Sequence, residues 1–119
     1  MDTVKKNTYF VDIDGTIFKY RKFETYMQSE VEVIETTKQF LIDRYKEGHM
    51  IVLTTARPNY LRLHTEYELD TNEIPYHNLL MDIERGPRYL INDMDPNNPG
   101  ERAICYNLER DGGIQSKSR

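Results

Sequence analysis

Tryptophan is absent and cysteine occurs once, as Cys105. A single thiol excludes an internal disulfide framework and, with no secretory signal, favours a reducing cytoplasm. The opening residues, Met1-Asp2-Thr3-Val4-Lys5-Lys6-Asn7, have neither the apolar stretch nor the small-residue cleavage site of such a signal. No apolar run approaches the ~20 residues that a membrane span needs. Excess positive charge is missing too. Lys and Arg number 16 against 20 Asp and Glu, a formal net charge of −4. That balance disfavours the broad basic face of non-specific nucleic-acid binding, although a phosphate can still be held locally. There are no internal repeats and no low-complexity linker. The 119 residues, 38% hydrophobic and 30% charged, make one globular domain with one core.

The run Tyr9-Phe10-Val11-Asp12-Ile13 is apolar and partly β-branched, which predicts a buried parallel strand ending in the turn Asp14-Gly15-Thr16. Residues 17–29 have no clear period and read as a loop or small hairpin, with Phe18–Phe23 as a flap. Ser29 and Glu32 form a capping box, so a helix is expected to start there and to place Val33, Thr37, Phe40, Leu41 and Tyr45 on one face. Gly48 ends it. Met50-Ile51-Val52-Leu53-Thr54 reads as a second strand. Pro58 then suits the first turn of a helix from Asn59 to about Leu69.

Short strands are expected at Asn78–Asp82, Tyr89–Asn92 and Ala103–Tyr106, with Cys105 a small core residue in the last. The residues between Asp82 and Tyr89 are too few for a crossover helix, so the third strand must be short or irregular. The tail from Arg110 to Arg119 is expected to fray. The pattern is that of a single α/β, Rossmann-like domain with a mainly parallel five-stranded sheet.

Open α/β sheets bind ligands beyond the carboxyl ends of their strands. Asp12, Asp14, Gly15, Thr16, Thr54, Thr55, Arg57, Asn92, Asp93 and Asp95 fall there. Carboxylates crowded together raise each other's pKa and cost stability. A hard divalent cation such as Mg²⁺ removes that cost and prefers carboxylate oxygens. His49, His64 and His77 lack metal-ligand spacing and read as surface or partly packed residues.

Asp12-Ile13-Asp14-Gly15-Thr16 directly after an apolar strand resembles the first motif of the haloacid dehalogenase (HAD) superfamily of phosphotransferases, and the likeness extends over about residues 8–107. Leu53-Thr54-Thr55-Ala56-Arg57-Pro58 is similar to its second motif, with Thr55 the phosphate-binding hydroxyl and Thr54 the alternative register. Arg85, or Arg88, stands for the basic residue of the third motif. Leu90-Ile91-Asn92-Asp93 stands for the fourth, with Asn92 in place of the usual acid or glycine.

The resemblance implies a HAD core in which Asp12 is the nucleophile and Asp14 the acid/base. Mg²⁺ is held by Asp12, Asp93 and the Asp14 carbonyl, and an aspartyl phosphate forms on Asp12. Thr55, Arg85 and backbone N–H groups near Gly15 hold the phosphate, and Gly15 lets the backbone approach it. Arg57 either reaches the substrate or merely starts the helix. Neither gap holds a cap domain, so the site is open except for the flap over residues 17–29. A neighbouring subunit serving as lid, and hence a homo-oligomer, stays among the expectations.

Three functions are weighed. The first is a phosphomonoesterase for a phosphorylated sugar or related metabolite. The second is a polynucleotide 3′-phosphatase. The third is a non-catalytic phosphate- or Mg²⁺-binding module.

Overall fold

The computed structural model describes residues 6–97 and 99–114. Three strands, β1 (Thr8–Asp12), β2 (Met50–Thr54) and β3 (Asn78–Leu80), form a parallel sheet in the order β1-β2-β3. Asp12 lies beside Thr54, and Thr54 beside Leu80, so all three strands end at the same edge of the sheet. Helix α1 (Glu35–Lys46) lies between β1 and β2, and α2 (Arg62–Thr71) between β2 and β3. The central strand is apolar on both faces because Ile51, Val52 and Leu53 are all buried. They meet Ile13, Ile17, Phe18, Leu41, Leu69, Ile74 and Leu79 in one core. Among the described residues no helix is long and apolar enough to cross a membrane.

Helix α1 starts later than the capping box implies. The Ser29 hydroxyl donates to the Thr25 carbonyl at 2.7 Å, and the helix begins at Glu35 after an extended Ile34. Residues 32–34 are drawn instead into pairing with residues 17–19: Lys19 N donates to Glu32 O and Ile34 N to Ile17 O, both at 2.8 Å. Gly48 does end the helix, at φ +91°. After Pro58 the chain makes a short 3₁₀ turn (Asn59–Leu61) before α2, which runs past Leu69 to Thr71. Glu73 closes α2 in a left-handed conformation, with Ile74 N bonded to Leu69 O and Glu73 N to Asp70 O.

The five-stranded sheet is not formed: the described residues give three strands, and neither Tyr89–Asn92 nor Ala103–Tyr106 joins them. A parallel return needs about a dozen residues, and only the six residues 83–88 separate Asp82 from Tyr89. Residues 84–97 and 99–107 therefore run as a largely exposed excursion, with Ile91 93% and Tyr89 75% exposed. Cys105 is exposed on it rather than packed in a core. Excluding this stretch from the core lengthens the molecule: its radius of gyration is 15.3 Å, against about 13.5 Å for a compact chain of this size.

The chain returns at Arg110 and is held there rather than frayed. Asp111 N donates to Gly15 O at 2.8 Å, and the Asp111 carboxylate accepts from Tyr20 N at 2.7 Å. Gly113 packs so closely on Thr36 that a Cβ would collide with the hydroxyl. The rest of the expected tail, residues 115–119, lies outside the described residues.

Candidate active site

A cleft of about 210 Å³ opens at the carboxyl edge of the sheet. Asp12 enters it from the end of β1, Asp14 from the following turn, and Thr55, Ala56 and Arg57 from the turn after β2. Tyr20, Phe23 and Tyr26 form one wall, and Arg85, Arg88 and Arg110 close the rim.

The Asp12 side chain is 45% exposed, with Arg88 Nη2 at 3.9 Å from Oδ1. Thr16 donates its hydroxyl to Oδ2 at 3.3 Å. Burial first, and the charge of Asp14 second, push the Asp12 pKa above the usual carboxylate range, while Arg88, Thr16 and the Ile13 N–H pull it back.

Asp14 is differently placed. Arg57 Nε donates to Oδ2 at 2.9 Å and Nη2 to Oδ1 at 2.8 Å, a bidentate grip. Arg57 is itself only 2% exposed. Its Nη1 donates to Thr65 Oγ1 at 3.0 Å and to Glu68 Oε1 at 2.8 Å. Burial works against its charge, but the bonds and charges of Asp14 and Glu68 outweigh burial and raise its pKa. Asp14, Thr65 and Glu68 engage four of its five N–H donors, so Arg57 braces Asp14 while still lining the cleft. Tyr26 lies beneath the guanidinium, with Arg57 Cζ 4.3 Å from the ring centre. Burial and the Asp14 charge push the Tyr26 hydroxyl up to about 12, so it stays protonated at neutral pH.

Thr55, buried at 2%, is the threonine that lines the cleft. Its oxygen accepts from Arg57 N at 3.1 Å, leaving its O–H free to donate. Gly15 adopts φ +90°, in the left-handed region, and a Cβ there would sit 3.4 Å from Arg110 Cγ. The amides expected to bind phosphate are already used: Gly15 N donates to Phe18 O, and Thr16 N and Ile17 N to Ile13 O. Arg85 and Arg88 both reach the cleft, and Arg88 is the one beside Asp12.

Asp93 is not brought to the site. It is 85% exposed on the excursion, 3.8 Å from Arg102. Asp14 has both carboxylate oxygens engaged by Arg57, whereas Asp12 accepts from Thr16 at Oδ2 and turns Oδ1 toward Arg88, 3.9 Å away. Among the described residues no group of three His, Cys, Asp or Glu side chains that could hold a metal ion is present. The donors assembled here therefore do not fit a complete Mg²⁺ site.

The segment over residues 17–29 is anchored, not a free flap. Phe18 is fully buried, and Arg21 is clamped to Glu68, leaving Tyr20 and Phe23 to face the cleft. Two residues escaped the sequence reading. Arg110 stacks on Tyr20, with Cζ 4.0 Å from the ring centre, and comes from a stretch without regular structure. Glu68 is a buried acid on α2, signalled only by its place on the same helical side as Leu61 and Thr65. His49 and His77 do structural work outside the cleft, each accepting a backbone N–H through Nδ1 at 3.0 Å.

No family model matches the chain, and no curated protein matches it. Among solved structures it is similar to a chain of the Pnkp1/Rnl/Hen1 complex, with a TM-score of 0.59 and 23% identity over 74% of this chain. The match spans 32% of that longer chain. What the likeness shows is a shared α/β fold.

Proposed function

We propose that the chain is a HAD-type phosphomonoester hydrolase acting on a phosphorylated sugar or a related small metabolite through an aspartyl phosphate. The carrying observation is the contrast within one acid pair: Asp12 stands half-exposed with an oxygen facing Arg88, whereas Asp14 is gripped from behind by Arg57. Three arginines on the rim of a cleft in a chain of net charge −4 select a small anion by local charge.

In this reading Arg85, Arg88 and Arg110 draw in the phosphate, and the Thr55 O–H donates to one of its oxygens. An Asp12 carboxylate oxygen attacks phosphorus as the bond to the leaving oxygen breaks. Asp14 enters the cycle protonated on a lone pair that Arg57 does not occupy, gives that proton to the leaving oxygen, and later regains one from the water that cleaves the acyl phosphate. The products are the alcohol and inorganic phosphate. Mg²⁺ is the cofactor implied by the HAD resemblance. It requires Asp93 to leave Arg102 and join Asp12, so no step here is routed through it.

A second reading, a polynucleotide 3′-phosphatase, draws on the Tyr20–Arg110 stack and on Phe23, which offer flat faces to a base beside the phosphate. A panel of sugar phosphates, nucleoside monophosphates and 3′-phosphorylated oligonucleotides, assayed with Mg²⁺, separates the two. Preference for the oligonucleotides selects the second. Release of phosphate from none of them, with Asp12→Asn indistinguishable from wild type, removes both.

A further inference from the structure

Beneath the cleft lies a buried charge cluster that the proposed chemistry does not use directly. Glu68 on α2 is 5% exposed. Its Oε1 accepts from Arg57 Nη1 at 2.8 Å. Arg21 Nη2 donates to both of its oxygens, at 3.1 and 3.0 Å. His64 Nε2 lies 3.2 Å from Glu68 Oε2 and 3.0 Å from the Tyr26 carbonyl.

Such a cluster is a poor device for stability alone. Each ion loses its hydration, and well-packed apolar side chains of similar volume often do as well or better. What the cluster does fix is direction. With Nε and Nη2 on Asp14 and Nη1 shared by Thr65 and Glu68, the planar Arg57 guanidinium cannot turn without breaking several bonds. The plane of the Asp14 carboxylate is set by that fork.

Arg21 extends the same network to the cleft wall. Its Nη1 donates to Ser29 O at 3.0 Å and to Tyr26 O at 3.4 Å. The Tyr26 ring lies 4.3 Å from Arg57 Cζ and 5.0 Å from Arg21 Cζ, so the two guanidiniums grip one aromatic ring. The segment carrying Tyr20 and Phe23 and the fork behind Asp14 thus share one anchor, Glu68.

We propose that Glu68 is a positioning residue, which aims Asp14 through Arg57 and, through Arg21, ties the wall over residues 20–29 to the same setting. The proposal rests on the reading of Asp14 as proton donor to the leaving group. A residue that only supported the fold would, when changed, lower turnover of every substrate alike. Glu68 should distinguish substrates by whether their leaving group needs a proton.

The experiment compares p-nitrophenyl phosphate, whose phenolate leaves unaided, with glycerol phosphate, whose alkoxide does not. Glu68→Gln keeps the shape and removes the charge. The rate of Asp12 phosphorylation, read in a single turnover, should fall by ~10²-fold on glycerol phosphate, within the range of general-acid effects, and by no more than about three-fold on the aryl phosphate, whereas the shared hydrolysis of the acyl phosphate, which also uses Asp14, slows alike for both. Glu68→Asp should recover part of the loss. If Glu68→Gln does not fold, Thr65→Val, which removes one hydroxyl from the grip on Arg57, should show the same split at smaller size.

An equal fall in the two phosphorylation rates overturns the proposal. Protection of the Arg57 Nε–H against solvent exchange, read by NMR, gives a second measure independent of turnover. It should be present in wild type and lost in Glu68→Gln or Thr65→Val, and its survival in the variant overturns the proposal. A wild-type protein idle on both phosphates counts against the hydrolase reading, and the Arg57 signal then decides on Glu68 alone.

Discussion

Arg57 holds Asp14 from behind the sheet edge by two N–H···O bonds of 2.9 and 2.8 Å, while Asp12, two residues earlier, has no such partner. One acid is thereby fixed and the other left available, which is the asymmetry a nucleophile and a proton carrier require. Arg57→Lys removes the fork while keeping a positive charge. Turnover of an alkyl phosphate should fall by ~10²-fold. Unfolding stability should also fall, because one ammonium cannot serve Asp14, Thr65 and Glu68 at once. Steady-state kinetics and urea titration check both.

Asp12→Asn separates function from stability in opposite directions. Turnover should vanish with the nucleophile. In metal-free buffer the variant should nevertheless unfold at a higher temperature at pH 7. The sign follows from the raised pKa of Asp12: its ionised form is disfavoured in the folded state. That cost is absent below the unfolded carboxylate pKa and appears as pH rises through the folded one. The advantage of Asn should therefore shrink as pH is lowered to 3, as thermal scans across that range would register. A variant less stable than wild type at pH 7 contradicts the account of the Asp12 environment.

Metal dependence turns on Asp93. If Asp93 leaves Arg102 to join Asp12, as the HAD resemblance requires, EDTA should abolish turnover and Mg²⁺ restore it. Asp93→Asn should raise the Mg²⁺ concentration needed for half-maximal activity at least ~10-fold, within the loss expected when a metal-holding group is removed. Full activity in EDTA removes Mg²⁺ from the mechanism.

The rim should affect binding more than chemistry. Tyr20→Ala or Arg110→Ala dismantles the stack over the cleft. KM for a nucleotide or oligonucleotide substrate should rise by ~5- to 10-fold, since a stacked base contributes about 1–3 kcal/mol. KM for a small aryl phosphate should stay near wild type in Tyr20→Ala, which leaves the Arg110 charge in place. Equal KM values in wild type and variants, for both substrates, discard a substrate-contact role for this pair.

Much of this arrangement was legible because it is local. Asp12, Asp14 and Thr55 follow apolar runs that do form parallel strands, although only the second is buried and Phe10 of the first is 53% exposed, and the ends of parallel strands converge. The start of α1 misled because Ser29 and Glu32 satisfy a local rule, while residues 32–34 obey a longer-range pairing with Ile17 and Lys19. Tyr89–Asn92 has strand composition but no route to a strand partner, and composition does not count connecting residues. Arg110 and Glu68 were out of reach for another reason. Arg110 joins the site from a distant part of the chain, as the bond between Tyr20 and Asp111 illustrates, and Glu68 is marked only by its helical spacing from Leu61, which does not reveal its bonds to Arg57 and Arg21.

The central claim is covalent chemistry at Asp12, and acid quenching of a single turnover with a ³²P-labelled phosphomonoester tests it most directly. The account expects an acid-stable, hydroxylamine-labile label that maps to Asp12, is absent from Asp12→Asn and persists longer in Asp14→Asn. Release of phosphate with no label on Asp12 at any quench time, or undiminished turnover by Asp12→Asn, would contradict it.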